Sequence, residues 1–590
     1  MSISVGDGES YPDPSFSVPQ LLYATKKKLQ DSLFSGRYDW NHAHQQPRSA
    51  EREPQILQDH DDHEPSRGTV TSSPRKPRQT DTLAVLLQVD SLERDALEIL
   101  ALVRSMKNTF VHIGRIPPDI LLLIPGYWET CDTDKNTITL THVCRSWRES
   151  FIACSSLWTQ LDCANIDKTH TYIERSRSSC LELSLRRCED ATYLEDAFLL
   201  VAPHISRLKS LSIVGTEDLL QNLTQHISRS APLLGNLTIQ LNCDPGPTLN
   251  IELFNGDLSS LHTLSLAGVG THLPWKNLSN LTTFKLFQVP EGHVSIAQLL
   301  NFFESAYRLR SVTLSHSIAT LSDAPPERVM SLRHLKNLTI IADPPVHSIL
   351  LDHLIIQTQV WLTLKFKVNG NGPPVRDFLP KELGNLKNIN SVTLVNLYFG
   401  GSWRSVLLGV DSGRLHIDGR WGGLGDAASF DLDRQVFQSL NHFTLSGVQQ
   451  LVVTKFKPPT VGGVENSAPY LVLLHMNALH TLTLVQCNNL PFILALDPDQ
   501  NPSKHILCLG LEEINLYIED LESFNIPELM AMVKARASRG TKLSSITIVG
   551  LGELLPGREV FKLKEYVTRV DYRFEESPPK WYSTSAGGGS

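Results

Sequence analysis

Acidic, histidine and glycine clusters mark the places where this sequence could do chemistry. Residues 60–63 read His-Asp-Asp-His and offer metal ligands. The stretch around them is polar and without apolar periodicity, so it lacks the fixed geometry that a transition metal needs. Residues 419–426 are glycine-rich, but no phosphate-binding lysine follows them. We therefore expect a loop between repeats there rather than a nucleotide site.

The cysteines do not indicate a metal site either. Four of them fall in one part of the chain: Cys131, Cys144, Cys154 and Cys163. Their spacing is not that of a zinc finger, and Cys144 falls on an apolar helical face, which favours buried thiols. The sequence also contains no Gly-x-x-x-x-Gly-Lys-Ser/Thr loop, no His-Glu-x-x-His pair and no Gly-x-Ser-x-Gly elbow. We predict a non-enzyme without cofactor or metal, and an enzyme that lacks these signatures stays open as an alternative.

Length and composition set the broad class. A chain of 590 residues is longer than a single hydrophobic core usually organises, so several domains or a repeat array are expected. The formal net charge of -8 argues against a bulk electrostatic grip on nucleic acid. No stretch approaches the ~18 to 20 apolar residues of a membrane span, the first residues do not resemble a signal peptide, and the nine cysteines are scattered. We expect a cytoplasmic and/or nuclear protein with neither nucleic acid nor membrane as a partner.

The first part of the chain changes character near residue 82. Residues 1–82 are rich in Pro, Ser, Gln, Asp and His and are predicted to be disordered, as is the tail 576–590. Leucine, isoleucine and valine then recur at helical spacing over residues 83–112. This predicts an amphipathic helix that packs beside the next domain.

A six-position unit returns along the chain beyond about residue 180, with apolar residues at positions one, four and six. The units are Leu208-Leu211-Ile213, Leu234-Leu237-Ile239, Leu261-Leu264-Leu266, Leu281-Phe284-Leu286, Leu309-Val312-Leu314, Leu335-Leu338-Ile340, Ile389-Val392-Leu394, Leu440-Phe443-Leu445, Leu479-Leu482-Leu484, Leu511-Ile514-Leu516 and Leu543-Ile546-Ile548, with a weaker one at Leu415-Ile417. Position five is usually Thr or Ser, and the units mostly lie 20 to 32 residues apart. This spacing is near the period of leucine-rich repeats. We predict an α/β repeat fold, an irregular leucine-rich-repeat solenoid, over residues 170–575.

The alternation within each unit predicts how its side chains are arranged. Positions four and six point to the same side of a strand, so Leu264 and Leu482 are expected to be buried between parallel strands of one curved sheet. The helical pattern of residues 294–307 and 526–537 would cover that side. The Asn or Cys that such repeats carry three residues later appears at Asn242 and Cys487, but most units lack it. The repeats are therefore degenerate.

Residues 113–162 carry the most informative pattern. Three pieces follow in order: Ile116-Pro117-Pro118-Asp119-Ile120-Leu121, then Leu140-Thr141-His142-Val143-Cys144-Arg145-Ser146-Trp147-Arg148, then Ser156-Leu157-Trp158. Their types, order and spacing resemble the F-box, specifically the divergent F-box of fungal proteins. Residues 172–176 and 181–185 resemble the link from F-box to repeats in that group. The resemblance is strong over about 75 residues and extends to the rest of the chain only by architecture.

Each piece suits a small all-helical unit. Pro117 and Pro118 pre-set the first turn of a helix, and Asp119 places a negative charge at its positive end. The next apolar residues fall on one helical face: Leu140, Val143, Cys144, Trp147 and Phe151. A Ser at 155 or 156 could cap a third short helix carrying Leu157, Trp158 and Leu161. A compact three-helix unit is expected.

The resemblance implies a function and a set of contacts. F-boxes bind the Skp adaptor and through it a cullin-RING ubiquitin ligase, so the chain would be the substrate receptor of an SCF-type complex for an unknown protein. The implied adaptor contacts are Pro117, Pro118, Ile120, Leu121, Ile124, Val143, Cys144, Trp147, Leu157 and Trp158. Val143 and Trp147 could instead belong to the internal core. Pro125 departs from the family pattern, because it should end or kink the first helix, with Tyr127 and Trp128 in reach to replace the lost contacts.

Three hypotheses follow from the sequence. The first is a ligase substrate receptor that binds the Skp adaptor through the F-box and a protein substrate through the repeats. The second is a repeat scaffold without ligase association, for which Pro125 is the main support. The third is an enzyme of unrecognised type.

Overall fold

The computed structural model of the chain describes a defined set of residues. They are 79–110, 116–127, 133–163, 165–186, 191–227, 229–241, 253–269, 278–288, 294–316, 328–369, 375–400, 403–409, 413–422, 426–457, 467–501, 504–519, 524–551 and 557–575. The predicted disorder of 1–82 and 576–590 falls outside them except at residues 79–82. The 60–63 cluster, Cys131 and Asn242 also lie outside the described residues.

The chain divides into two units, residues 1–94 and 95–590, and the boundary falls within the first helix, α1, Gln79–Phe110. This helix lies over most of the predicted range 83–112. Its large apolar side chains are mostly exposed: Leu83, Leu86, Leu87, Val89, Leu97, Leu100, Leu102, Met106 and Phe110. The packing of this helix beside the next domain stays a prediction.

A small helical unit follows. It contains α2 Pro118–Leu121, a 3-10 turn Ile124–Tyr127, α3 Thr133–Thr141, α4 Arg145–Ala153 and a second 3-10 turn Ser155–Trp158. The predicted helical character is confirmed, but the single apolar face from 140 to 151 is divided between α3 and α4. The third predicted helix is only a 3-10 turn, and neither Ser155 nor Ser156 caps it. The unit also ends earlier than predicted, because Gln160 and Leu161 form a strand.

The rest of the described chain is a long sheet with helices. Its strands are β1 Gln160–Leu161, β2 Leu181–Arg186, β3 Leu208–Gly215, β4 Asn236–Leu241, β5 Thr263–Ala267, β6 Thr283–Phe287, β7 Ser311–Ser315, β8 Met330–Ser331, β9 Asn337–Ile341, β10 Leu354–Ile355, β11 Trp361–Asn369, β12 Leu394–Gly400, β13 Trp403–Gly409, β14 Arg414–Gly422, β15 Gln450–Thr454, β16 Thr481–Val485, β17 Glu513–Ile518, β18 Ser545–Leu551 and β19 Arg569–Glu575. Seventeen of these described strands form one sheet, while β8 and β10 pair separately.

Helices follow most of the strands. They are α5 Ile166–Ser176, α6 Ala191–Val201, α7 Glu217–Ile227, α8 Ile296–Ser305, α9 Pro344–Asp352, α10 Asp426–Ser439, α11 Ala468–Leu473, α12 Leu490–Leu496, α13 Ile526–Ser538 and α14 Gly557–Lys562. The predicted helical pieces 294–307 and 526–537 correspond to α8 and α13. In α8, Ser295 and Gln298 form a capping box, which satisfies backbone N–H groups at the helix start.

From β1 to β11 the sheet is parallel and regular, in the order β1-β2-β3-β4-β5-β6-β7-β9-β11. Equivalent residues of successive units face one another: Leu237, Leu264, Phe284, Val312 and Leu338 lie in one row across five strands. Leu264 and Leu482 are 0% and 1% exposed, which confirms the predicted burial of the fourth position. The fifth position lies on the opposite face of the sheet, here called the outer face.

The order is reversed in the middle of the sheet. β14, not β12, pairs with β11, and β13 lies antiparallel between β14 and β12. β12 then pairs in parallel with β15, and β15 to β19 continue the parallel order. This reversed segment, residues 361–422, was not expected from the uniform repeat.

Three predictions are wrong in or near this segment. Residues 440–445 form no strand, since a 3-10 turn covers Leu440–His442 and the strand is β15. The unit 389–394 is out of register, because Val395, Leu397 and Phe399 face the core while Leu394 packs on the outer face. Residues 419–422 belong to β14 rather than to a loop. Short apolar runs without a strict period explain these errors.

One continuous core joins the helices to one face of the sheet. The Phe284 ring on β6 lies 4.6 Å from the Phe302 ring on α8, centroid to centroid. Cys487 follows β16 and is buried, and its thiol donates to Val453 O at 3.2 Å while Phe456 N donates to its sulfur at 3.4 Å. The buried thiol thus links the end of β16 to the end of β15.

Candidate functional site

The helical unit contains the ten predicted adaptor contacts, and burial divides them into three groups. Pro117, Pro118, Ile120 and Val143 are exposed, and Ile124, Cys144 and Leu157 are half-buried. Leu121, Trp147 and Trp158 are buried. The contact role of all ten stays a prediction, but a buried side chain is not free to enter an interface without a rearrangement.

Leu121 and Trp147 hold the unit together. They form its core with Leu140 and Phe151. The rings of Trp147 and Phe151 meet edge to face, with centroids 5.8 Å apart. Trp147 is therefore a core residue, whereas Val143, the other residue left open between core and contact, is 49% exposed.

Trp158 connects the helical unit to the sheet. Its indole Nε1 donates to Phe151 O at the end of α4, at 2.9 Å. Its ring lies edge to face against Tyr172 of α5 with centroids 5.0 Å apart, and the Arg175 guanidinium lies 4.4 Å above it. These contacts fix the position of α4 relative to α5, so we assign Trp158 a structural role.

Four large apolar side chains of the described part of the unit remain at its surface, and Ile138 is the least exposed of them at 37%. Ile120, Leu123 and Val143 are 53%, 54% and 49% exposed. Sequence analysis missed Leu123, although the continuous apolar run 120–124 could have indicated it. Leu123 lies in the turn after α2, where its backbone N–H donates to Ile120 O at 3.2 Å.

Pro125 acts where the sequence predicts. α2 ends at Leu121, and the chain continues as the 3-10 turn 124–127 that contains Pro125. Ile124 is half-buried against the core of the unit. Trp128 and the Tyr127 side chain lie outside the described residues, so their proposed compensation stays untested.

Charge plays a small part around this unit. The Arg145 and Glu149 side chains pair at 2.9 Å but are 77% and 65% exposed, so the pair adds little stability. Arg148 Nε donates to Thr141 O at 2.9 Å and satisfies a carbonyl at the end of α3. Cys144 and Cys154 are half-buried, which corrects the expectation of buried thiols, while Cys163 is buried.

Ser405, His416 and Asp418 form the nearest approach to a nucleophile and base. Ser405 Oγ lies 2.8 Å from His416 Nε2 on the neighbouring strand. Burial, with Lys365 nearby, lowers the pKa of His416 to about 4, and burial raises the pKa of Asp418. In the part of the chain that the structure describes, no hydrogen bond joins Asp418 to His416, so the orienting contact of a catalytic triad is not made.

A shallow groove beside the two-stranded sheet has a volume of about 390 Å³. It is lined by Ser331, Arg333, Ile355, Gln357, Gln359 and Lys387. No His, Cys, Asp or Glu side chain is among these lining residues. Across the described ranges, no three His, Cys, Asp or Glu side chains converge as a metal site would require.

None of the described helices has the length and apolar character to span a membrane. Comparison with models of known protein families gives no match, and comparison with curated proteins gives none. The functional argument therefore rests on this chain's own residues.

Proposed function

We propose that this protein is the substrate receptor of an SCF-type ubiquitin ligase. The helical unit would bind the Skp adaptor, the sheet with its helices would hold a protein substrate as an irregular leucine-rich-repeat solenoid, and the chain itself would have no catalytic role. The resemblance of residues 113–162 to the F-box is the basis of the proposal.

The observation that supports this proposal most is the exposed apolar surface of the helical unit. Ile120, Leu123 and Val143 are about half exposed, although among the described residues the unit's own core contains only four buried hydrophobic residues. A small core gains stability by docking on a partner, and exposed apolar groups on such a unit are suited to that contact.

Burial also changes which residues test the proposal. Leu121→Ala or Trp158→Ala would damage the core, so a loss of binding there could reflect unfolding. Ile120→Glu and Val143→Glu alter exposed side chains and place a charge in the proposed apolar contact. We expect each to weaken binding of a purified Skp adaptor by more than about tenfold in a pull-down titration.

Leu509→Glu is the matched control, because Leu509 is 66% exposed on the sheet part of the chain. It should bind the adaptor like the unaltered protein, and all three variants should keep the same circular dichroism. If the unaltered protein does not bind the adaptor, the ligase proposal is wrong. The scaffold hypothesis then gains, since α2 ends before Pro125 and offers only four helical residues.

A further inference from the structure

Three aromatic–cation pairs lie on the outer face of the sheet, in and beside the reversed segment. The Arg414 guanidinium lies 4.2 Å above the Trp361 ring, and that of Arg420 lies 5.8 Å above the Trp403 ring. The Lys455 ammonium lies 5.8 Å above the Tyr398 ring. We call these six residues the aromatic–cation surface: Trp361, Tyr398, Trp403, Arg414, Arg420 and Lys455.

Strand register explains why the pairs form. Trp361 on β11 is the direct partner of Arg414 on β14, and Trp403 on β13 is the direct partner of Arg420 on β14. Direct partners on neighbouring strands lie about 5 Å apart, which suits a cation over a ring. The two arginines are six residues apart on one strand, so the two pairs are separated by roughly 20 Å along it.

The side chains of this surface are available to a partner. Trp361 and Trp403 are 49% and 42% exposed, and both arginines are exposed. Large aromatic residues and arginine are the types that contribute most to binding energy at protein interfaces. The adjacent parallel strands present smaller side chains on the same face: Asn337, Thr339 and Ile341 on β9, and Gln450, Val452 and Thr454 on β15.

The positive charge of the surface is not neutralised within the described chain. No described carboxylate forms a salt bridge with Arg414, Arg420 or Lys455, whereas Lys457, two residues on, pairs with Glu519 at 3.8 Å. The carboxylate nearest in register, Asp418, is buried and faces Lys365 on β11. These three exposed cations have no salt-bridge partner among the described residues, in a chain whose formal net charge is -8.

Gly400, two residues beyond Tyr398 on the same strand, leaves the space that the Tyr398 ring occupies. A Cβ added at Gly400 would lie 2.5 Å from the Tyr398 ring, so the ring occupies the space that a side chain would need. Its position near Lys455 thus depends on glycine at 400. The Tyr398 ring thus lies at the side of the surface nearest β15.

We infer that the aromatic–cation surface binds an acidic segment of a partner protein, with carboxylates on Arg414 and Arg420 and apolar side chains against the two tryptophans. Guanidinium groups match carboxylates in geometry as well as charge. The inference rests on the proposed function only in naming this partner as the ligase substrate. The binding itself needs no adaptor.

A protein ligand suits the surface better than a nucleic acid. Binding to a phosphate backbone uses many cations along a track. Here the three cations of the surface do not form such a track, and of the other basic residues of β11, Lys365 lies opposite Asp418 and Lys367 opposite Arg420 in register. The nearest strands on either side add Asn337 and Gln450 in the row of Arg414, not further basic residues. The surface combines a small charge with large aromatic area, as protein interfaces do.

A fluorescence-anisotropy titration tests the inference. The probe is a short fluorescein-labelled peptide of alternating glutamate and leucine, and the comparison peptides carry glutamine or lysine in place of glutamate. We expect the glutamate peptide to bind the full chain and the other two to bind at least about tenfold more weakly, with affinity falling as salt rises. The double variant Arg414→Ala/Arg420→Ala should lose about tenfold or more in affinity for it.

Tyr307→Ala/Arg308→Ala is the matched control. This exposed pair has the same chemistry, with the guanidinium 5.6 Å from the ring, but lies outside the strands. It should leave peptide affinity unchanged within about twofold. Equal binding of the glutamate and glutamine peptides would overturn the inference, and so would an RNA oligonucleotide that binds more tightly than the glutamate peptide and depends on the same arginines.

The two proposals fail separately in these experiments. Loss of peptide binding with adaptor binding intact removes only the aromatic–cation surface. Failure to bind the adaptor with peptide binding intact removes only the ligase function.

Discussion

The regular run of strands from β2 to β9 and the reversed segment from β11 to β14 use their side chains differently. In the regular run the core-facing positions are apolar, and the outer face has small polar side chains such as Ser265 and Thr313. In the reversed segment a buried Arg404 faces the core, and tryptophans stand on the outer face. Both regions belong to the same sheet, so the difference arises from strand order and not from a different architecture.

Strand order explains how one part of a repeating sheet acquires a surface of different composition. In parallel repeats, the direct partner of a residue is the equivalent position of the next unit, and like residues face one another. An antiparallel strand breaks this rule, because it pairs the end of one strand with the start of another. β13 thereby sets Trp403 beside Arg420.

The largest expected effect concerns a buried ion pair between the reversed segment and α10, which the described strands of the regular run lack. Arg404 Nε pairs with the Asp433 carboxylate on α10, and the two residues are 5% and 7% exposed. Arg404→Met would leave Asp433 buried without its charge partner and should cost roughly 3 to 5 kcal/mol in free energy of unfolding by urea. The double variant Arg404→Met/Asp433→Leu should regain most of that loss.

Arg569→Met is the control, because Arg569 pairs with Asp571 while 74% exposed and should change stability by less than about 1 kcal/mol. If Arg404→Met behaved like this control, the reversed segment would not depend on its buried pair.

The second prediction tests the regular run by its apolar packing. Leu264→Ala and, in the strands after the reversal, Leu482→Ala each remove a fully buried side chain. Each should lower the free energy of unfolding by about 2 to 5 kcal/mol. Leu233→Ala, at a 49% exposed position, should change it by no more than about 0.5 kcal/mol. Equal effects at Leu233 and Leu264 would contradict the core assignment.

The smallest effect depends on pH and on a histidine at the edge of the regular run. His347 on α9 is 0% exposed, its Nε2 donates to Ile340 O at 3.1 Å, and burial lowers its pKa from 6.5 to about 4. The unfolded chain therefore takes up a proton below pH 6.5 that the folded chain does not. The contribution of His347 to the free energy of unfolding is therefore fully present above pH 6.5 and is lost as the pH falls towards 4. At pH 5 the expected loss in the free energy of unfolding is about 2 kcal/mol.

Urea unfolding at a series of pH values between 4 and 7 measures this loss. His347→Gln can keep the bond to Ile340 O without the titration, so its stability should change less with pH over this range. His480→Gln, at an exposed position, should keep the slope of the unaltered protein. An unchanged slope in His347→Gln would show that other groups cause the acid sensitivity.

Much of the regular run and of the helical unit could be predicted from the sequence. Six-residue units with apolar fourth and sixth positions identified β3 to β7 and β9, because the period of two is set locally by the strand backbone. Pro117 and Pro118 likewise marked the start of α2, since proline fixes the backbone angle of a first helical turn. These features need no knowledge of which segments become neighbours.

The burial of individual residues and the contacts between distant segments depend on the tertiary structure. It placed Trp158 and Leu121 in cores and Val143 at the surface, although all three are apolar residues of one motif. Burial depends on which elements pack together, and helical spacing does not contain that information. In the same way the sequence indicated a strand at Leu415-Ile417, but only the pairing of β14 with β11 brought Arg414 to Trp361. Contacts between distant segments follow from global strand order, whereas the sequence pattern reports the local period.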